Sequence, residues 1–207
     1  MSSIKYKVEL RCHSIQEQLN RLGGSFSSRT LTYIFIPAII IVGFLLNHIF
    51  DYNYFGIRPR EFSLRSLYGM LFSWIMHDNF DHIKNNMILL LQILIPFVLI
   101  EKRPARMFLG LCAVSGLFTW IFGVSNSLHV GASGVFFALV GYILVSSVFA
   151  DKIGKKLVYL TLVILFGYQY WNIVKNGLTV QENVSFAGHF GGLLGGAIAG
   201  YIFNKNR

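Results

Sequence analysis

Six apolar runs separated by short charged clusters set the rhythm of this chain. A helix that crosses a bilayer needs about 20 mostly apolar residues, and the runs 31–50, 82–100, 107–124, 133–149, 157–174 and 184–203 meet or approach that length. The first is uncharged and holds Pro37, where a kink is expected; the last is rich in glycine. Between the first two runs lies a long aromatic connector. Its rings Tyr52, Tyr54, Phe55, Phe62, Phe72 and Trp74 suit the headgroup zone, where amphipathic aromatics lower their free energy. The pattern predicts an all-α membrane protein, a bundle of six transmembrane helices. The connector is expected to be an interfacial loop with short amphipathic helices, not a seventh span.

Composition strengthens that reading. Of 207 residues, 54% are hydrophobic and only 13% charged, with a mean hydropathy of +0.56. A soluble domain carries about 25% charged residues, so this chain has too little polar surface to cover a water-facing globule. The net charge of +9 does not point to nucleic acid, because the basic residues form no single patch. They sit between apolar runs instead. With the N-terminus inside, thirteen of the eighteen Lys and Arg fall on the inner side, in the leader, in "EKRPAR", in "DKIGKK" and in the tail. Arg58, Arg60, Arg65, Lys84 and Lys175 remain outside. That bias predicts a multi-pass protein of the cell membrane with both termini in the cytoplasm.

About thirty mostly polar residues precede the first run, so it is expected to act as a signal-anchor and not as a cleavable signal. The expected division is a short cytoplasmic segment, 1–30, and one membrane domain, 31–207. Cys12 and Cys112 lie in a polar and an apolar setting, which argues against a disulfide or thiolate metal site. Neither a metal nor a cofactor is expected.

Polar groups at membrane depth are costly, so each needs a reason. Ser133 stands in "GASG" at the first turn of a helix, between Gly131 and Gly134. Unpaired N–H groups there favour developing negative charge, which suits an oxyanion formed when a serine attacks a carbonyl. The same four residues also read as a small-residue packing patch between membrane helices. His189 lies about one turn into the last run, and Gly192, Gly195, Gly196 and Gly200 follow it as a seam for close helix approach. A neighbour that begins Gly131-Ala132-Ser133-Gly134 fits that seam. Such packing brings the imidazole to the serine hydroxyl, as a nucleophile requires; otherwise His189 bonds a backbone carbonyl. His82 and Asn86 are spaced i, i+4 and share a helix face, where both can donate toward developing charge. Asn85 lies on another face. His77, Asp78 and Asp81 also read as a polar helix entrance. Phe137 follows Ser133 by four positions and either stacks on the imidazole or is one phenylalanine among 19.

Together these residues resemble the rhomboid family of intramembrane serine proteases. The family's His-x-x-x-Asn appears as His82 to Asn86, its Gly-x-Ser-Gly as Gly131 to Gly134, and its histidine in a glycine-rich sixth helix as His189. One departure is Tyr68-Gly69, where family members often carry Trp-Arg. The resemblance implies a six-helix rhomboid-like bundle in which Ser133 is the nucleophile and His189 the base and acid. It makes His82, Asn86 and the Ser133 N–H the oxyanion hole, with Gly131, Gly134, Phe137 and His77 in support. The substrates implied are transmembrane segments of other proteins, cut near the outer face of the lipid bilayer. A water cavity lined by His77, His82, Asn86 and Ser185 is expected, and the fifth span, with Tyr168, Tyr170 and Trp171, is the expected gate. A rhomboid-like protein that only binds transmembrane clients is the alternative. The chain lacks His-Glu-x-x-His for a metalloprotease and the paired repeats or intramembrane carboxylates of a transporter.

Overall fold

The computed structural model describes residues 29–47, 49, 55–177 and 185–205. Cys12, the leader before Arg29, Tyr52, Tyr54, Val184 and Arg207 lie outside the described residues. Seven α-helices are present among the described residues. They are α1 (Arg29–Leu46), α2 (Leu64–Phe72), α3 (Phe80–Ile100), α4 (Pro104–Phe122), α5 (Ser133–Phe149), α6 (Ile153–Gly177) and α7 (Phe186–Lys205). Five of them, α1, α3, α4, α6 and α7, are long and apolar enough to cross a bilayer; α5 is apolar but only 17 residues long. The protein is therefore an integral, multi-pass, all-helical membrane protein.

Local chemistry sets where the helices begin. Asn79 caps α3 by accepting the His82 N–H at 2.9 Å, Pro104 occupies the first turn of α4, and Ser185 caps α7 through the Gly188 N–H at 3.2 Å. No side chain caps α5, so the N–H groups around Ser133 stay unclaimed by a cap. Helix α1 runs on through Pro37 without a break in helical structure.

The centre of the bundle is the pair α5 and α7, which run in the same direction. A Cβ at Gly192 would strike the Gly134 carbonyl, one at Gly196 the Ala138 carbonyl, and one at Gly200 the Tyr142 carbonyl. From the other side, Gly141 admits the Leu193 carbonyl of α7. Small residues let backbones meet where lipid supplies no hydrophobic drive. A second stripe on α7 turns to α4, with Gly191 against Phe118 and Gly195 against Val114. Helix α5 is buried along nearly its whole length, whereas α6 leaves most of its apolar surface for lipid.

The connector holds one α-helix, α2, followed by a 3-10 turn, Ser73–Ile75. Helix α2 packs with its small face: Ser66 and Gly69 are buried, while Leu64, Leu67, Tyr68 and Leu71 face outward. An apolar exposed face fits the bilayer interface expected of this segment. Gly69, in the Tyr68-Gly69 departure, lies so close to Gly56 that a Cβ would collide with its carbonyl. Anchoring of the loop here comes from backbone contact at that glycine. The connector is also pinned to the approach to α5. Ile57 and His129 exchange N–H···O bonds of 2.9 and 3.0 Å, and the Gly131 N–H bonds the Ser73 carbonyl at 2.9 Å.

Candidate active site

At the shared end of α5 and α7, His189 Nε2 lies 2.8 Å from Ser133 Oγ. The two residues are 56 apart in the chain; the glycine stripe of α7 brings them together. The Phe137 ring stacks on the imidazole with centroids 4.3 Å apart and planes 13° from parallel. The small-residue cluster around Ser133 is thus a packing patch as well as the setting of the hydroxyl. Gly134 makes room for Ser115 Oγ of α4, so helix contact and not open space surrounds it.

On the other side of the Ser133 turn, His82 and Asn86 of α3 meet the backbone at Gly131. A Cβ there would strike His82 Nε2 and would lie 3.3 Å from Asn86 Nδ2. Gly131 also has φ +110°, a region that side chains of L-residues rarely adopt. Both facts demand glycine. Asn86 is 6% exposed and its Nδ2 has no hydrogen-bond partner. A buried unpaired donor costs about 1–3 kcal/mol; here it faces the backbone at Gly131, two residues before Ser133. Asn85 is exposed, as the face assignment predicts.

His77 is more deeply built in than a polar entrance requires. It is 1% exposed, its Nδ1 lies 3.3 Å from the Ile75 carbonyl, and its Nε2 accepts the Ala132 N–H at 3.4 Å. One nitrogen donates and the other accepts, which defines a neutral imidazole. Burial, with the neighbouring His82 as a second cause, pushes its pKa down to about 4. Unfolding returns it to the ordinary value of 6.5, so between those values the unfolded chain binds a proton that the folded chain refuses. The stability contributed by neutral His77 is complete above about 6.5 and is lost as pH falls toward 4, roughly 2 kcal/mol by pH 5. Burial lowers the pKa of His129 in the same direction. The thermal midpoint in detergent is expected to drop between about pH 7 and pH 5, and less so in His77→Gln. Equal slopes in the two proteins would refute the assignment to His77.

Behind Ser133 lies a cavity of about 30 Å³, bordered by Ser115, Thr119, His129, Ser185 and His189 among others. One water needs about 10–15 Å³ by this measure, so the space suits one or two. Ser185 lines it as expected. His77, His82 and Asn86 do not, because the backbone at Gly131 and Ala132 occupies their contact surface. Sequence reasoning missed Ser115 and Thr119, although their i, i+4 spacing inside an apolar run places two hydroxyls on one face. It also gave no role to His129, whose Nε2 pairs with Ser127 Oγ at 2.7 Å.

A serine hydroxyl and an imidazole in hydrogen-bond contact thus lie within a polytopic helical membrane bundle. The "Rhomboid domain" family matches residues 64–206, and the chain belongs to the rhomboid family. Among its relatives are uncharacterized proteins of Mycobacterium bovis and Mycobacterium tuberculosis. Each is 31% identical over 160 residues, which cover 72% of this chain and 63% of the relative. An uncharacterized protein of Mycobacterium leprae is 27% identical over 188 residues, or 84% of this chain and 70% of the relative. The chain thus spans less than two thirds of the length of the first two.

Proposed function

We propose that this protein is an intramembrane serine endopeptidase that cuts transmembrane segments of other membrane proteins. The observation that carries the reading is the 2.8 Å contact between His189 Nε2 and Ser133 Oγ, with Phe137 stacked on the imidazole. His189 takes the hydroxyl proton as Ser133 attacks the scissile carbonyl. The oxyanion accepts from the Ser133 N–H at the uncapped start of α5, from Asn86 Nδ2 and from His82. Collapse of the tetrahedral intermediate breaks the C–N bond, and His189 gives its proton to the leaving amine. The ester on Ser133 is then attacked by water from the adjoining cavity, with His189 again taking and returning the proton. The product is a new carboxylate, and the hydroxyl is restored. Gly131 and Gly134 shape the turn, and His77 holds it through the Ala132 N–H.

The charge bias of the loops supports an orientation with both termini in the cytoplasm, in the cell membrane, so that the site lies toward the outer face. The membrane domain is assigned to residues 31–207 and the short cytoplasmic segment to 1–30. Helix α6 is the proposed gate for the substrate helix. Its outward half meets the bundle through Tyr170 on Phe136, with centroids 5.9 Å apart, and Gln169 reaches Gln92 of α3 at 3.4 Å. Tyr168 and Trp171 are exposed beside that contact.

The test is cleavage of a model transmembrane substrate in liposomes by wild type and by Ser133→Ala, with fluorophosphonate labelling in parallel. Wild type should cleave and label, and the variant should do neither. Cleavage by Ser133→Ala would remove the serine from the chemistry, and a wild type inert toward many substrates would favour client binding without cleavage.

A further inference from the structure

His82 Nδ1 lies 2.6 Å from Asp78 Oδ1, four residues earlier in the chain. The Asp78 carboxylate can only accept, so Nδ1 carries a proton. Nε2, the atom that faces Gly131 and the Ser133 turn, then has two possible states. In a neutral imidazole it is a bare lone pair, which would repel an oxyanion. Only a doubly protonated ring donates from both nitrogens at once. We propose that Asp78 is a positioning residue which, through Nδ1, keeps His82 as an imidazolium, so that Nε2 offers the oxyanion a charged donor. The inference rests on the protease reading above.

The surroundings agree with this assignment. His77, whose ring meets that of His82 edge to face at 5.0 Å, is fixed as a neutral imidazole by its two backbone bonds and adds no second cation. Asp81 and Lys84, also at the start of α3, pair with each other at 2.8 Å. The segment entering α5 brings the Gly131 backbone against His82, its His129 pairs with Ser127, and His189 on α7 is engaged with Ser133. Among the described residues, Asp78 is thus the carboxylate joined to His82. The Asn79 cap bonds the His82 backbone N–H at 2.9 Å and fixes the ring's starting point. A charged donor holds an oxyanion more strongly than a neutral one, and pairing it with an exposed carboxylate lessens the cost of keeping it charged in the resting site.

Nitrogen-15 spectra of histidine-labelled protein in micelles, with His82→Gln for assignment, read the two ring nitrogens directly. Near pH 7, both His82 nitrogens should be protonated in wild type and only one in Asp78→Asn. A single protonated nitrogen in wild type overturns the proposal, whatever the cleavage assay gives. The pH dependence of kcat supplies a second readout. Its acid limb should not move. Its alkaline limb should shift down by about one pH unit or more in Asp78→Asn, with kcat lower by roughly tenfold near pH 8 and KM little changed. Asparagine keeps the size and an acceptor oxygen, so a merely structural Asp78 would leave the shape of the profile intact; an unmoved alkaline limb overturns the proposal. If wild type shows no Ser133-dependent cleavage, the protease reading falls and the spectra alone decide the state of His82.

Discussion

Ser133→Ala, His189→Ala and the double substitution are expected to lower kcat by the same factor, about 10⁴ to 10⁶. The equality matters more than the size. In the proposed mechanism the hydroxyl, 2.8 Å from the imidazole nitrogen, acts with it as one unit: without the base the serine is a weak nucleophile, and without the serine the base has no proton to take. Two residues with independent roles would instead show losses that multiply. What survives in all three variants is the contribution of the oxyanion donors and of substrate binding, which neither substitution touches. Because His189 also stacks on Phe137 at 4.3 Å, its removal opens a gap in the bundle, and the thermal midpoint of each variant must accompany the kinetics. Loss of cleavage in a folded His189→Ala protein that still reacts with a fluorophosphonate at the wild-type rate would break the pairing.

The parts of this site that were legible in the sequence are those coded by short spacings. Ser133 and Phe137 are one turn apart, His82 and Asn86 likewise, and the glycines after His189 recur at helical intervals. Such patterns survive without knowledge of the fold because a helix converts spacing into a shared face. The run 133–149 matches α5 residue for residue for the same reason: glycine and small polar residues mark one end, and charge marks the other. The neighbours of Ser133 were less legible. Gly131 reads as part of a small-residue packing patch, whereas its φ and the His82 ring give the glycine a different cause. Ser115 and Thr119 vanish into an apolar run because two hydroxyls barely change its hydropathy. Asp78 and His82 have the right spacing for a pair, yet spacing alone cannot separate a catalytic pair from a solvated helix entrance. Least legible of all was Glu101. It sits in "EKRPAR", which reads as a topogenic charged loop, and its partners lie 41 to 58 residues away.

Replacing Glu101 by leucine is expected to destabilise the folded protein by about 3–5 kcal/mol. Glu101 caps the end of α3 opposite the active site and is 2% exposed. A single carboxylate oxygen accepts from the Tyr142 hydroxyl of α5 at 2.7 Å, from the Tyr159 hydroxyl of α6 at 2.7 Å, and from Lys155 Nζ of α6 at 2.9 Å. Lys155 also donates to the Tyr142 oxygen at 3.1 Å. Leucine would take the carboxylate away from a largely buried ammonium and two phenols at once, leaving Lys155 only the Tyr142 oxygen as acceptor. Lys155→Met leaves the carboxylate with two phenol donors, so its cost should be smaller. The double variant Glu101→Leu with Lys155→Met removes both charges, and it should be more stable than the sum of the two single losses predicts, because neither ion is left uncompensated. Thermal or denaturant unfolding in micelles of the wild type, the two single variants and the double variant yields the coupling directly. Simple additivity would mean that the ion pair holds nothing. A positive coupling makes this cluster the fixed joint between α3, α5 and α6 at one end of the bundle, which leaves the other end of α6, held by Tyr170 and Gln169, as the part free to move aside for a substrate.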